Sequence, residues 1–270
     1  MSKVASVKEY IECLEKNRKK ENISMLFRGQ SNASWSIEST LERVGIKNIR
    51  LKDYYESIDY FKSEINSLGY HFQRKLNEKG YDFDFSDWIN ISLNKFPDIE
   101  YLSYLRHHGF PTPLIDVTQS EYIALFFACE DLDEKTDAKI FAIETDLGNT
   151  RVSGNPELHR IGHYLESDQR HIVQQSEYLL PVQFQKKEYN SEWYFVPFSS
   201  FWKKEKTCMN EDEQKLIFEI VIDGAAKKEI MAELAKMNIN HYTLYLDEDS
   251  LIRKLKCEFL QRAEILRDSP

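Results

Sequence analysis

Arg28 stands at the end of the strand-like apolar run "SMLF", just before Gly29 and a cluster of turn-forming polar residues. A guanidinium is a planar fork of donors that fits a phosphate or a carboxylate, and a neighbouring glycine lets another backbone or a ligand come close. Two uses follow from the residue type: a grip on an anionic ligand, or an ion pair with a buried carboxylate that staples the fold. A carboxylate that could face it from far along the chain is Glu177, in "QQSEYLLPV". If a strand begins at this point, alternation makes Gln175 and Glu177 look the same way, an amide and an acid together at a cleft mouth. Taken alone, Glu177 reads more readily as a solvated charge at a strand edge.

Between them lies "LRHHGFPTPLIDVTQSEYIALFFACE", residues 105–130. Gly109, Pro111 and Pro113 impose an extended, turn-rich entry, "LID" is a short apolar strand, and Thr118-Gln119-Ser120 places hydroxyls at a strand-to-helix junction. Thr118 or Ser120 can cap the following helix, whose first-turn amides point at whatever lies ahead of it. For Ser120 the capping role alone is the better reading. His107 and His108 are adjacent, so on a helix they point about 100° apart and make a poor metal pair. His108, close to the turn, is a secondary binding candidate.

The elements that must position these residues are legible in outline. Residues 3–18 read as an amphipathic helix with Val4, Val7, Tyr10, Ile11 and Leu14 on one face and a capping-box-like Ser6-x-x-Glu9. A strand is expected at 23–28, one or two helices over 50–78, and a helix over 98–107 ended by Gly109 and Pro111. Beyond that, strands are expected at 113–117, 138–144, 177–184, 192–198 and 215–222, and helices at 119–131, 157–170, 224–237 and 248–262. Helices fall between strands without regular βα alternation, which predicts an α+β fold. The expected architecture is one domain over 1–270, with a helical N-terminal region and a helical insert at about 50–100 around one β core. Tyr178, Trp193 and Tyr194 are expected in the core or a cleft wall.

Composition narrows the function classes. The chain has 270 residues, 41% hydrophobic and 30% charged, with net charge −9, as in an ordinary soluble globular protein without a broad basic nucleic-acid footprint. A local basic cleft remains compatible with that balance. Cys13, Cys129, Cys208 and Cys257 are dispersed without a C-x-x-C pair, so no metal site is expected and the thiols read as reduced, in a cytoplasmic protein. There is no apolar signal core and no run of 18 apolar residues, so neither secretion nor membrane association is expected. The sequons at Asn22, Asn32 and Asn90 are then coincidental. Dinucleotide-fingerprint, P-loop, H-E-x-x-H and G-x-S-x-G motifs do not occur.

Phe27-Arg28-Gly29 and the stretch His107 to Ala128 resemble the FRG domain family of bacterial and phage proteins. The second stretch follows H-x-G-h-P-T-R-L-L-D-W-T-x-S-p-x-x-A-L-x-F-A, except that Pro113 stands for the usual arginine and Val117 for the tryptophan. The resemblance extends over about residues 24–256. The same stretches, with Gln175-Ser176-Glu177 and Leu179-Leu180-Pro181, also resemble the arginine–serine–glutamate signature of ADP-ribosyltransferases. That resemblance implies a split β-sheet core and NAD as substrate. Arg28 with Gly29 would grip the cofactor, Thr118 and Ser120 would line the pocket, Gln175 would position the acceptor, and Glu177 would stabilise an oxocarbenium-like sugar. It further implies a mono-ADP-ribosyltransferase acting on a macromolecule, protein or nucleic acid, as a toxin-like effector in bacterial or phage conflict. Such an effector can have a neutralising antitoxin as a further partner. Two rival readings are an FRG module that binds a nucleotide, nucleic acid or protein without catalysis, and an NAD glycohydrolase. If Glu177 is an exposed cleft acid, Glu177→Ala abolishes NAD turnover and leaves folding intact.

Overall fold

Short strands rich in β-branched and aromatic residues assemble into one large antiparallel sheet with helices on it. The structure is a computed structural model. It describes the chain except for residues 1–2, 19–23, 79, 85–95, 146–150, 153–155, 163–164, 166–168, 187–190, 203–216 and 268–270. The strands are β1 (Ser24–Gln30), β2 (Ile49–Arg50), β3 (Leu76–Asn77), β4 (Gly80–Tyr81), β5 (Ile115–Thr118), β6 (Ala138–Thr145), β7 (Arg151–Val152), β8 (Glu157–Ile161), β9 (Ser176–Lys186), β10 (Ser191–Phe195) and β11 (Ile217–Ile222). The helices are α1 (Val7–Asn17), α2 (Thr40–Arg43), α3 (Leu51–Asp59), α4 (Lys62–Asn66), α5 (Ile99–His107), α6 (Glu121–Cys129), α7 (Gln169–Val173), α8 (Phe198–Trp202), α9 (Lys227–Lys236), α10 (His241–Tyr245) and α11 (Glu248–Arg267). This is an α+β fold. None of the described helices is long and apolar enough to cross a membrane.

The main sheet runs β11-β6-β1-β5-β9-β10-β2, with β8 paired to β9 and β7 to β8, while β3 and β4 form a separate hairpin. The pairings between these named strands are antiparallel, and Val4 adds an isolated parallel bridge to Ile222. The junction of β1 with β5 is the weak seam. β1 matches β6 along its whole length, from Ser24–Thr145 to Gln30–Lys139, and β5 matches β9 from Ile115–Leu179 to Thr118–Ser176. Between β1 and β5 the described residues give a single rung, Phe27 opposite Thr118. Past that rung the strands part, and a guanidinium takes a strand carbonyl in place of a backbone amide: Arg28 Nη1 donates to the Asp116 carbonyl at 2.7 Å.

Helix α6 holds both sides of the seam. Ser120 caps it, its hydroxyl accepting from Ile123 N at 3.3 Å. The helix runs so close to β1 that a Cβ on Gly29 would stand 1.9 Å from the Ala124 carbonyl oxygen and 2.7 Å from Ala128 N. The close approach that a glycine at this position permits is therefore to another backbone. Around this contact lies a core of Tyr10 from α1, Phe126 from α6 and Leu234 from α9. A second core, with Tyr55, Leu102 and Trp193 among its fully buried residues, packs the 50–100 region against β9 and β10. A third gathers Leu26, Val117, Leu179 and Phe198.

The structure departs from expectation in two places. The helical spacing seen over 157–170 is overridden, because Glu157–Ile161 is β8, paired residue for residue with β9 from Glu157–Val182 to Ile161–Tyr178. Leu158 and Ile161 are buried in different clusters, one on each side of the sheet, as a strand and not a helix requires. Among the described residues of that span, Gln169 and Arg170 are helical, as the start of Gln169–Val173. The 50–100 insert is also not purely helical, since it includes the β3–β4 hairpin. The hairpin is fastened by Lys62, fully buried between Asp59 at 2.9 Å and Asp98 at 2.6 Å, with the Tyr81 hydroxyl also on Asp98. Cys208, Asn22 and Asn90 lie outside the described residues.

Candidate functional site

The parted seam opens a cleft of about 360 Å³, within the range usual for small-ligand sites. Arg28, Gly29 and Thr118 all line it. The Arg28 side chain is only 11% exposed, with its Nη1 3.7 Å from the Asp116 carboxylate. Burial pulls its pKa down to about 10, against the attraction of Asp116. Burial also works to raise the acid of Asp116, yet the Arg106 and Arg28 guanidinia hold it below the ordinary carboxylate value. Arg106 binds the same carboxylate through Nε at 3.0 Å and through Nη2. Two guanidinia thus share one carboxylate at the floor.

The far walls come from separate elements. Arg43, from the last turn of α2, lines the cleft beside Trp35 and has no ion-pair partner among the described residues. Arg170 of α7 donates to the Tyr245 carbonyl at 2.8 Å and pairs with Asp247. Gln174 ties to the Leu244 carbonyl at 3.0 Å, and the Tyr245 hydroxyl donates to Glu130 at 2.9 Å. These bonds dock α10 against α6 and α7 and bring the Tyr245 ring to the cleft. The ledger of neighbouring charges is uneven. Arg28 and Arg106 share Asp116, Arg170 is matched by Asp247, and Arg43 has no partner among the described residues, leaving two guanidinium charges uncompensated by these carboxylates.

Glu177 is placed differently. Thr118 and Ser176 form a cross-strand pair and both line the cleft, so Glu177, one residue further along β9, points to the opposite face beside Val117. Its side chain has no exposed surface; both oxygens are taken by Arg160, and one also accepts from the Gln119 amide. Gly162 lies over it, close enough that a Cβ there would be 3.0 Å from the carboxylate. The solvated-edge reading of Glu177 is corrected accordingly: the acid is buried because β8 carries a matching arginine to it. Arg160 and Gln119 line a second cavity beyond the seam, against Leu14 and Met25.

The remaining candidates separate as well. Thr118 Oγ1 donates to the Gln174 carbonyl at 2.7 Å and accepts from Ser120 N at 3.1 Å, so it braces the strand end while lining the cleft. Ser120 caps α6 and is not among the lining residues. Gln175 is exposed, in the left-handed region at φ 46°, and precedes the start of β9, so alternation does not pair it with Glu177. Of the two histidines, His107 lines the cleft, its Nε2 3.1 Å from the buried Tyr178 hydroxyl. His108 instead ends α5 with its ring 4.4 Å from that of Tyr104. Sequence reasoning missed Trp35, Arg43, Arg106, Asp116, Arg170 and Tyr245. Arg106 and Asp116 lay inside a stretch already singled out, and a charged residue between apolar neighbours was the available signal.

Residues 23–137 match the family model of the FRG domain, which supports the FRG family for this α+β chain. No curated protein and no solved structure matches. The matched stretch supplies the Arg28, Arg43, Arg106 and Asp116 side of the cleft, whereas Arg170, Gln174, Ser176 and Tyr245 lie beyond it.

Proposed function

We propose that the cleft between β1 and β5 binds a nucleotide through its diphosphate, with NAD the ligand. The observation that carries this reading is the pair of uncompensated guanidinium charges in one cleft with aromatic walls. A dinucleotide diphosphate carries one negative charge on each phosphate, and guanidinium forks suit it in charge and geometry. Trp35 and Tyr245 offer rings for a base. The ADP-ribosyltransferase resemblance adds an activity: transfer of ADP-ribose from NAD to a macromolecule by a toxin-like effector on a split-sheet core. In that activity Glu177 would have to leave Arg160 and reach the sugar from the opposite face of the sheet, which needs a change in the β9 backbone and not a side-chain rotation alone. The burial of Glu177 favours a second reading, an FRG module that binds its nucleotide without cleaving it.

Calorimetric titration with NAD and with ADP-ribose tests the binding. Both are expected to give heat, and Arg43→Ala, at an exposed residue, to weaken both. No heat with either ligand sinks the proposal. Incubation with labelled NAD and cell lysate, followed by nuclease or protease digestion, then separates the two readings. A labelled macromolecule supports transfer; intact NAD supports binding alone; free ADP-ribose without label on any macromolecule marks a glycohydrolase.

A further inference from the structure

Trp35 is a large aromatic side chain left half exposed, at 50%, on the rim of a cationic cleft. Its loop is rigidly built: Asn32 Oδ1 accepts from Ser34 N at 2.8 Å and from Ser34 Oγ at 2.7 Å, and Gln30 Nε2 donates to the Ser36 carbonyl at 3.1 Å. These bonds tie down the turn that carries the indole, and the ring stands half exposed on it. Behind it lies a second hollow of about 380 Å³, lined by Ser34, Trp35, Ser36, Glu38 and Arg43. Trp35 and Arg43 thus line both spaces, one aromatic ring and one guanidinium that has no ion-pair partner among the described residues.

An exposed indole beside an arginine matches the repeating unit of a single-stranded nucleic acid, with a base for the ring and a phosphate for the cation. A single strand repeats that pair at every nucleotide, whereas a polypeptide presents it only where an aromatic residue falls beside an acid. Glu38, the acid of this hollow, can accept from an exocyclic amine such as that of cytosine. We infer that the hollow behind Trp35 binds a single-stranded nucleic acid, one base stacked on Trp35 and its phosphate at Arg43, with the strand leading toward the nucleotide cleft. The inference rests on the nucleotide-binding reading above and names the macromolecule that meets it. The net charge of −9 restricts such binding to this local patch and makes it sensitive to salt.

The test is fluorescence anisotropy of labelled (dC)8 at low salt, with ADP-ribose binding followed in parallel by calorimetry. Trp35→Ala is expected to weaken (dC)8 roughly tenfold, as loss of one stacked base does. Ser36 is exposed and lines only the second hollow, so Ser36→Glu is expected to weaken (dC)8 by a similar factor while leaving ADP-ribose affinity within about twofold. If ADP-ribose binds and (dC)8 does not, or if Ser36→Glu binds (dC)8 as the parent does, the nucleic-acid inference fails and the nucleotide reading stands. Competition by poly-glutamate equal to that by unlabelled (dC)8 also overturns it, since charge alone would then suffice. If (dC)8 binds with the expected losses and ADP-ribose does not, the dinucleotide reading falls and the nucleic-acid surface stands. Binding of neither removes both.

Discussion

Glu177 meets Arg160, not Arg28. The two oxygens of Glu177 face the Arg160 guanidinium without exposed surface, while Arg28 lies in the cleft on the other side of a seam held by one rung. Breaking a buried pair leaves a desolvated charge alone, which costs several times more than losing a surface ion pair.

The expectation that Glu177→Ala leaves folding intact therefore reverses. Glu177→Ala and Arg160→Met should each lower stability by roughly 3–5 kcal/mol, measured by urea denaturation. The double variant Arg160→Met/Glu177→Met should recover most of that loss. Single variants as stable as the parent would show that the pair is solvated.

Gly29 has no room for a methyl group. Gly29→Ala would put Cβ 1.9 Å from the Ala124 carbonyl, and backbone on both sides leaves little to yield. A loss of more than about 3 kcal/mol is expected, above the usual range for overpacking because no flexible side chain can move aside. Gly109, at φ 77° with open space around it, should lose only about 1–2 kcal/mol on the same change. Equal effects at the two positions, by circular dichroism melts, would contradict the packing described for β1 and α6.

Acid should weaken the fold through His171. Burial is the first cause lowering its pKa from 6.5, followed by the neighbouring His107, while Glu177 and Asp116 act the other way. A histidine with a lowered pKa in the native state binds protons more readily when unfolded. Its contribution is complete above pH 6.5 and is lost as the pH falls toward the lowered value. His241 is lowered by burial against the pull of Glu130 and adds to the same trend. Denaturation midpoints at pH 7.5 and 5.5 should fall further apart for the parent than for His171→Gln. An unchanged difference would exclude His171 as a source.

Lys62 anchors the insert. Removing it as Lys62→Met would leave Asp59 and Asp98 facing each other without their buried cation, at a cost of roughly 3–5 kcal/mol. Hydrogen exchange should rise first in 51–81, where Asp59 accepts from Lys75 N at 2.9 Å and Leu76 N at 3.2 Å. Uniform exchange across the chain would mean that the insert and the sheet unfold as one.

Local pattern carried much of this arrangement. The apolar run before Arg28, the capping hydroxyl of Ser120 and the apolar stretch of α6 each act within a few residues, so strand, junction and helix were legible. Glu177 was misread because its setting depends on Arg160, which a strand hidden under a helical spacing brings to it. Arg43 and Tyr245 join the cleft only through tertiary docking, by way of α2 and the bonds from Arg170 and Gln174. The β8 strand shows the same limit: pairing along β9 outweighed a spacing that suited a helix.

The lone rung of Phe27 and Thr118 gives the sheet a mechanical character of its own. Two panels, β11-β6-β1 on one side and β5-β9-β10-β2 on the other, share a single backbone rung, and the Arg28 guanidinium adds one side-chain bond across the opening to Asp116. An anion gripped by both Arg28 and Arg106 would add a further link across a seam that has one backbone rung.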